Sequence, residues 1–290
     1  QAPSMSATSR RKAPACWCVV LLLAGRCNTQ SSQPAGRRSF RLPHSLESIK
    51  LPTAPQLQWP RPQWPQMRWP KMPWRTRSNR DRPASCDDDV GVENFVRDAT
   101  SADESWRLGV ESAGIRVWRR QVEGSPYDEI RGSGIIEAPP ALVLALLKRG
   151  DPETIRGYNP MYDSGHDLQQ LDENTKVSYG SVRAIFPFKP RDTVTRVAIR
   201  AVPNLGGTAL LLQAVDHPQM PPRPDYVRAK ILRGMHLVQP VHKKPGLTNF
   251  TFTQQVNAGG ALPAWLMNTL MARDSVIFIQ RVETCAQRTR

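Results

Sequence analysis

The side chains able to do chemistry fall into three groups. Asp216-His217 sets an acid beside an imidazole, which is the raw material of general acid–base work. No nucleophile stands at a recognisable spacing from it, so the pair does not point to turnover. The five cysteines are Cys16, Cys18, Cys27, Cys86 and Cys285. They form no CxxC pair, and no histidine sits at zinc spacing from a cysteine pair. They read as free thiols, with a redox or metal role for Cys16-Trp17-Cys18 as the alternative; no metal and no cofactor is implied. The third group is Arg191-Asp192 in a proline-bounded turn, Pro187-Phe188-Lys189-Pro190-Arg191-Asp192. It is either an arginine–carboxylate anchor that holds the turn or a direct contact to a ligand. Trp106 and Trp118 read as core or interface rings. This inventory suits binding better than catalysis.

The elements that would position these groups begin near Val92. Glu93 to Trp106 suits a helix with Ser101 and Asp103 as candidate caps, followed by strands over 114–122 and 128–137. Ala138-Pro139-Pro140 opens an apolar helix from Ala141 to Lys148, since proline is tolerated at a helix start. Strand candidates then crowd together at 163–171, 176–185, 192–202, 208–216, 227–233, 235–241 and 248–257, separated by turn-forming residues. A long helix from about Leu262 to Cys285 closes the run. Consecutive strands with tight turns argue for an antiparallel sheet. The last helix is apolar over much of its circumference and must be covered. The predicted class is therefore α+β: a curved antiparallel sheet wrapped around a long C-terminal helix, with an apolar cavity between them.

Alternation names the faces. Val197 and Ile199 turn inward if Arg196 and Arg200 take water; a slip of one residue would instead put Arg196 inside. Ser178, Gly180 and Val182 share one face, and so do Phe250, Phe252, Gln254 and Val256. Trp265, Leu266 and Leu270 belong to the apolar stripe of the last helix. Gly259-Gly260 precedes that helix, so Trp265 and Met267 either dip into a membrane interface or pack against the sheet.

The first ninety residues are a different kind of sequence. They carry 15 basic and 5 acidic side chains, against 25 and 20 in the remaining 200, so most of the net charge of +15 lies outside the periodic region. They hold 12 of 27 prolines but only 2 of 18 glycines, and the remainder suits one domain. After Met5, a basic stretch and a short apolar run from Ala15 to Ala24 have signal-peptide architecture, whereas the Ser/Arg-rich, acid-poor composition is that of a transit peptide. Either reading makes residues 1–50 a targeting-like segment, organellar or secretory, with cytoplasmic location otherwise. Residues 51–91 form a Trp/Pro-rich linker in which Trp59, Trp64, Trp69 and Trp74 recur every five residues. Proline excludes helix and central strand there, so a disordered N-terminal region precedes the folded one. The rings and basic groups could meet an anionic membrane or stack on single-stranded nucleic acid. No platform positions them, so the stretch reads as a spacer and no nucleic-acid partner is expected.

Several stretches in order resemble the StAR-related lipid transfer (START) domain family. They are Glu123-Gly124-Ser125-Pro126-Tyr127, Arg131-Gly132-Ser133-Gly134, Glu137-Ala138-Pro139-Pro140, the Pro187–Asp192 turn, Val215-Asp216-His217-Pro218 through to Tyr226-Val227-Arg228-Ala229, and Leu262-Pro263-Ala264-Trp265-Leu266. The resemblance covers residues 92–287. It implies the helix-grip fold, with the curved sheet gripping the C-terminal helix, and a non-catalytic domain that binds one lipid in a tunnel and often transfers it between membranes; the chain reads as a monomer. Sterol-binding relatives place an acid and an arginine on the strands flanking the turn; the matching positions here are Ser178 and Val197, so that pair is absent. The resemblance then implies a phospholipid or another lipid suited to a neutral pocket rather than a sterol. Ser178, Gln213, Gln254 and Tyr158 are the headgroup candidates, and the last helix with the turn at Asn204-Leu205-Gly206-Gly207 the gates. The alternative is an enzyme of the wider helix-grip superfamily, cyclase-like, acting on an apolar substrate. It would need convergent acid and base groups facing the cavity.

Overall fold

The computed structural model describes residues 89–184 and 188–289. The expectations for residues 1–88, including the targeting segment, the Trp-Pro repeat and four of the cysteines, lie outside the described residues. The chain order is α1 (Asp89–Thr100), β1 (Arg107–Ser112), β2 (Ile115–Arg120), β3 (Glu129–Ile136), α2 (Pro140–Lys148), α3 (Pro152–Tyr158), β4 (Tyr162–Asp172), β5 (Thr175–Val182), β6 (Arg191–Val202), β7 (Gly207–Ala214), β8 (Val227–Arg228), β9 (Lys230–Val241), β10 (Lys244–Asn257) and α4 (Ala264–Arg288).

Local chemistry sets the boundaries. Ala113 and Gly114 both have positive φ (51° and 74°), the primed turn whose twist closes a tight hairpin between β1 and β2. α2 has proline in its first turn, and α3 is capped by the Asp151 carboxylate, which accepts from the Thr154 amide at 2.9 Å. Ser101 and Asp103 do not cap a helix start. They lie beyond the end of α1, where the Ser101 hydroxyl donates to the Asp98 carbonyl at 2.9 Å. The stretch 107–112, to which the sequence pattern assigned no element, is a strand of its own. Likewise, residues 230–241 form one continuous strand rather than two.

The strands run β1-β2-β3-β10-β9-β7-β6-β5-β4, each neighbouring pair antiparallel, with β8 added parallel to β6. The β3–α2–α3–β4 connection therefore carries the chain from the middle of the sheet to its far edge. The sheet is curved, and each face meets helix. On the convex face, Val92, Phe95, Val96 and Ala99 of α1 pack on Ala198, Leu211, Met235 and Leu237. Ions hold α1 there. Asp98 binds Arg120 at 2.9 Å and Arg233 at 2.6 Å, while Glu129 reaches Arg120 at 2.5 Å.

On the concave face α4 packs against β1, β2 and β3 and against α2 and α3. Phe278 meets Phe252 edge-on at 5.2 Å and Phe250 at 6.1 Å. Glycine is required beneath this contact. A Cβ at Gly132 would lie 2.5 Å from the Phe252 ring, and one at Gly134 would lie 2.9 Å from Ile115 and 3.5 Å from Ile279 of α4. The Arg131-Gly132-Ser133-Gly134 stretch thus lets a helix and an aromatic layer approach the sheet.

Candidate functional site

The register decides what faces α4. Phe252 pairs with His236, His236 with Leu210, Leu210 with Ile199, and Leu212 with Val197. Directly paired residues share a face. On β6 the inward set is therefore Arg191, Thr193, Thr195, Val197 and Ile199. Pairing of β6 with β5 adds Ser178, Gly180 and Val182. Phe250, Phe252 and Gln254 complete the wall on β10. The register predicted for β5, β6 and β10 is the one observed, and the slip that would turn Arg196 inward does not occur.

Two other expectations are not met. Gln213 pairs with Arg196 on the convex face and is exposed, because β7 alternates with Leu210 and Leu212 inside. Trp265 is 69% exposed, while Leu266 beside it packs on the core and Leu270 is half-buried. Only the apolar side of α4 can face the sheet, and Trp265 stands on the other side of its first turn. Tyr158 is buried, edge-on to Phe278 at 6.3 Å.

The concave face is less neutral than alternation suggested. Asp167 of β4 pairs with Ser178 and accepts its hydroxyl proton at 2.5 Å. Lys176 reaches the same carboxylate at 3.1 Å. A β-bulge between Asp167 and Gln169 shifts β4 by one residue, so alternation along this strand does not by itself tell which of its residues face the wall. Thr195, beside Ser178, is buried. His236 lies among Phe250, Phe252 and Phe278, and complete burial holds its pKa down at about 3. It is a neutral imidazole in an aromatic layer.

The proline-bounded turn separates its two charges. Asp192 points to the convex face, where Arg228 grips both carboxylate oxygens at 2.9 and 3.1 Å and also donates to the Met220 and Pro221 carbonyls. The arginine–carboxylate anchor is thus Arg228–Asp192 and not Arg191–Asp192. It fastens the proline-rich 218–224 stretch to the sheet. Arg191 points the other way, inward and buried, and burial pulls its pKa down.

At the start of α4, Asn268 accepts from the Asp128 amide at 3.1 Å and donates to the Pro126 carbonyl at 3.3 Å. Burial raises the Asp128 pKa against the opposing charge of Arg119. A groove of about 700 Å³ lies there between the β2–β3 connection and the first turns of α4, with Trp265 on its rim. The 204–207 turn is at the opposite end of β6 from this region. Its Asn204 amide donates to Glu93 of α1 at 2.7 Å, and Gln239 donates to the Leu205 carbonyl at 3.0 Å. It is pinned to the convex side and does not flank the start of α4.

The sequence profile of the START domain matches residues 91–290. START domain-containing protein 10 of Mus musculus is 29% identical over 184 residues, 62% of this chain and 60% of that protein. Ceramide transfer protein of Homo sapiens is 26% identical over 206 residues, 64% of this chain and 32% of its own length. The chain therefore spans about three-fifths of the one relative and a third of the other. The crystal structure of human STARD10 superposes with a TM-score of 0.63 at 24% identity, covering 69% of this chain and 80% of that one. Human StAR-related lipid transfer protein 5 superposes at 0.62 with 20% identity, covering 68% and 93%. These two likenesses establish the helix-grip fold. With the profile spanning well over half of its residues, the chain belongs to the START domain family.

Proposed function

We propose that this protein binds one lipid between the concave face of the sheet and α4 and transfers it between membranes. The observation that carries this reading is the distribution of inward side chains. α4 rests on β1–β3, while Val182, Val197, Ile199, Leu210 and Leu212 form an apolar wall on β5–β7 that continues beyond its main footing. An acyl chain laid on that wall gains roughly 0.8 kcal/mol per buried methylene, which offsets its departure from a bilayer. Relatives named for ceramide transfer and for lipid transfer support the same reading.

Exchange requires the start of α4 to move. Gly259 and Gly260, with φ of 65° and 64°, lead into it, and exposed Trp265 marks the end that would meet the membrane interface. Catalysis is not favoured. The Ser178 hydroxyl is buried and already donates to a carboxylate that Lys176 neutralises, so it is not poised as a nucleophile. We read residues 1–50 as a targeting segment, 51–91 as a linker and 92–287 as the lipid-binding domain, acting as a monomer.

The test is native mass spectrometry of the purified full chain together with vesicle-to-vesicle transfer across a lipid panel. A lipid-mass adduct with matching transfer is expected. Absence of both across the panel overturns the proposal.

A further inference from the structure

Arg120 lies between Asp98 and Glu129, Arg228 holds Asp192, and Lys176 holds Asp167. Among the described residues only two arginines are fully buried, Arg131 and Arg191, and they differ in what holds them. Arg131 has no close carboxylate but is stacked between Trp106 and Trp118 at 4.4 and 4.5 Å and donates to two carbonyls. Arg191 has far less. It is 6% exposed, its Nη1 donates to the Lys189 carbonyl at 2.7 Å, and Phe188 lies 5.4 Å from its guanidinium. Nε is buried without a partner, and among the described residues Nη2 makes no hydrogen bond. The Nε–Nη2 edge, the side of the fork that grips a carboxylate or phosphate in two parallel bonds, is therefore open.

Among the described residues, no nearby carboxylate supplies the missing charge. The adjacent Asp192 is on the other face and taken by Arg228. Asp167 pairs across β5 with the Thr195 row, four residues along β6 from Arg191, or about 13 Å at ~3.3 Å per residue. A desolvated cation without a counter-ion is costly, and a site that tolerates one is built for a ligand that supplies the anion.

The position fits a headgroup. Arg191 begins β6, pairs with Val182 and, in parallel, with Val227 of β8. A Cβ on Gly259, which leads into α4, would lie 2.9 Å from Val227, so this end of the concave face adjoins the start of α4. From Arg191 the wall continues through Thr193 and Thr195 to Val197 and Ile199, about 26 Å along the strand at ~3.3 Å per residue, which accommodates an acyl chain.

We propose that Arg191 is the oxyanion-binding residue of this site, receiving the phosphodiester of a phospholipid or the carboxylate of a fatty acid. The inference rests on the lipid-binding reading for the ligand's chains, but not for the anion itself. The full chain, stripped of lipid, is compared as wild type, R191M and R191K. The readouts are melting temperature with and without inorganic phosphate, and uptake from vesicles doped with phosphatidylcholine, a fluorescent fatty acid or diacylglycerol. R191M is expected to melt at or above the wild-type temperature, because an unpaired buried charge is gone. Its uptake of phosphatidylcholine and fatty acid should fall at least about tenfold, while diacylglycerol uptake persists. R191K keeps a point charge without the fork and should lose about three- to tenfold on the same two ligands, which keeps the test open if R191M does not fold.

Comparison of the two lipids that carry an oxyanion, phosphodiester or carboxylate, identifies the headgroup. Stabilisation of wild type by inorganic phosphate, lost in R191M, would support the oxyanion site even if no lipid were taken up, and only the lipid reading would then fail. A lower melting temperature with equal loss of all three lipids would make Arg191 a structural residue and overturn the inference. Lipid uptake unchanged in both variants would overturn it while leaving the lipid-binding reading intact.

Discussion

His236 is the residue whose environment has the clearest consequence in solution. Its ring is wholly buried among Phe250, Phe252 and Phe278, and its pKa sits at about 3 against an ordinary 6.5. The unfolded chain binds a proton near pH 6.5 that the native state refuses until about pH 3. Stability from this group is therefore complete above pH 6.5 and declines as pH falls through the window below it. The slope approaches about 1.4 kcal/mol per pH unit, the value for one proton. Urea midpoints of His236→Leu should lose that part of the acid slope between pH 6 and 4; an unchanged slope would mean that the imidazole charges without unfolding. This histidine was not legible as a site residue in the sequence, because alternation places it inward without saying that three phenylalanines surround it. The inward facing of Ser178, Val197 and Phe252 was legible, since β5, β6 and β10 alternate without interruption there. Arg191 was read as a turn residue, although counting back in twos from Val197 along β6 reaches it. That parity was the available signal.

At the scale of elements, the clasp between α1 and the sheet makes a graded prediction. Asp98 and Glu129 both bind Arg120 and Arg233, yet the Asp98 side chain is 42% exposed and that of Glu129 only 1%. Replacing Glu129 by glutamine leaves two arginines sharing a desolvated site and should cost about 3–5 kcal/mol. Asp98→Asn, screened by water, should cost about 1 kcal/mol or less. Denaturant unfolding checks both, and equal costs would mean that burial does not govern the clasp. None of this network could be read from the sequence, since it joins residues from α1, β2, β3 and β9. The turn between β6 and β7 could, because Asn204-Leu205-Gly206-Gly207 carries its own turn chemistry and Gly206 takes positive φ. The strand β1 was missed although Trp106, Leu108 and Val110 alternate, because it is only six residues long, interrupted by Gly109 and almost wholly exposed, so no buried face marks it. The β4 bulges were invisible too. They leave an eleven-residue edge strand irregular, which makes it a poor template for pairing with another chain.

At the scale of the whole molecule, local pattern does not specify strand order. β3 lies next to β10, more than a hundred residues later, and the crossover through α2 and α3 sends β4 to the far edge. Alternation gives strands and faces but no partners, so the antiparallel class was legible while the order depended on family resemblance. Charge is the complementary property, readable from sequence and silent about fold. Residues 1–90 carry a net of +10 and residues 91–290 a net of +5. Basic groups near an anionic leaflet contribute about 1 kcal/mol each and are screened within a Debye length of about 10 Å at 0.1 M salt. The apolar wall that would hold a lipid depends on neither. Attraction to membranes and lipid uptake should therefore separate. Deleting residues 1–88 should leave the cooperative unfolding of the remainder intact, together with its uptake of lipid from neutral vesicles. The same deletion should remove most of the salt-sensitive association with vesicles rich in phosphatidylserine. Sedimentation of both proteins with vesicles at 50 and 300 mM salt measures this. If the shortened chain keeps the full salt dependence, the basic surface that finds the membrane lies in the folded domain, and the N-terminal charge has no part in it.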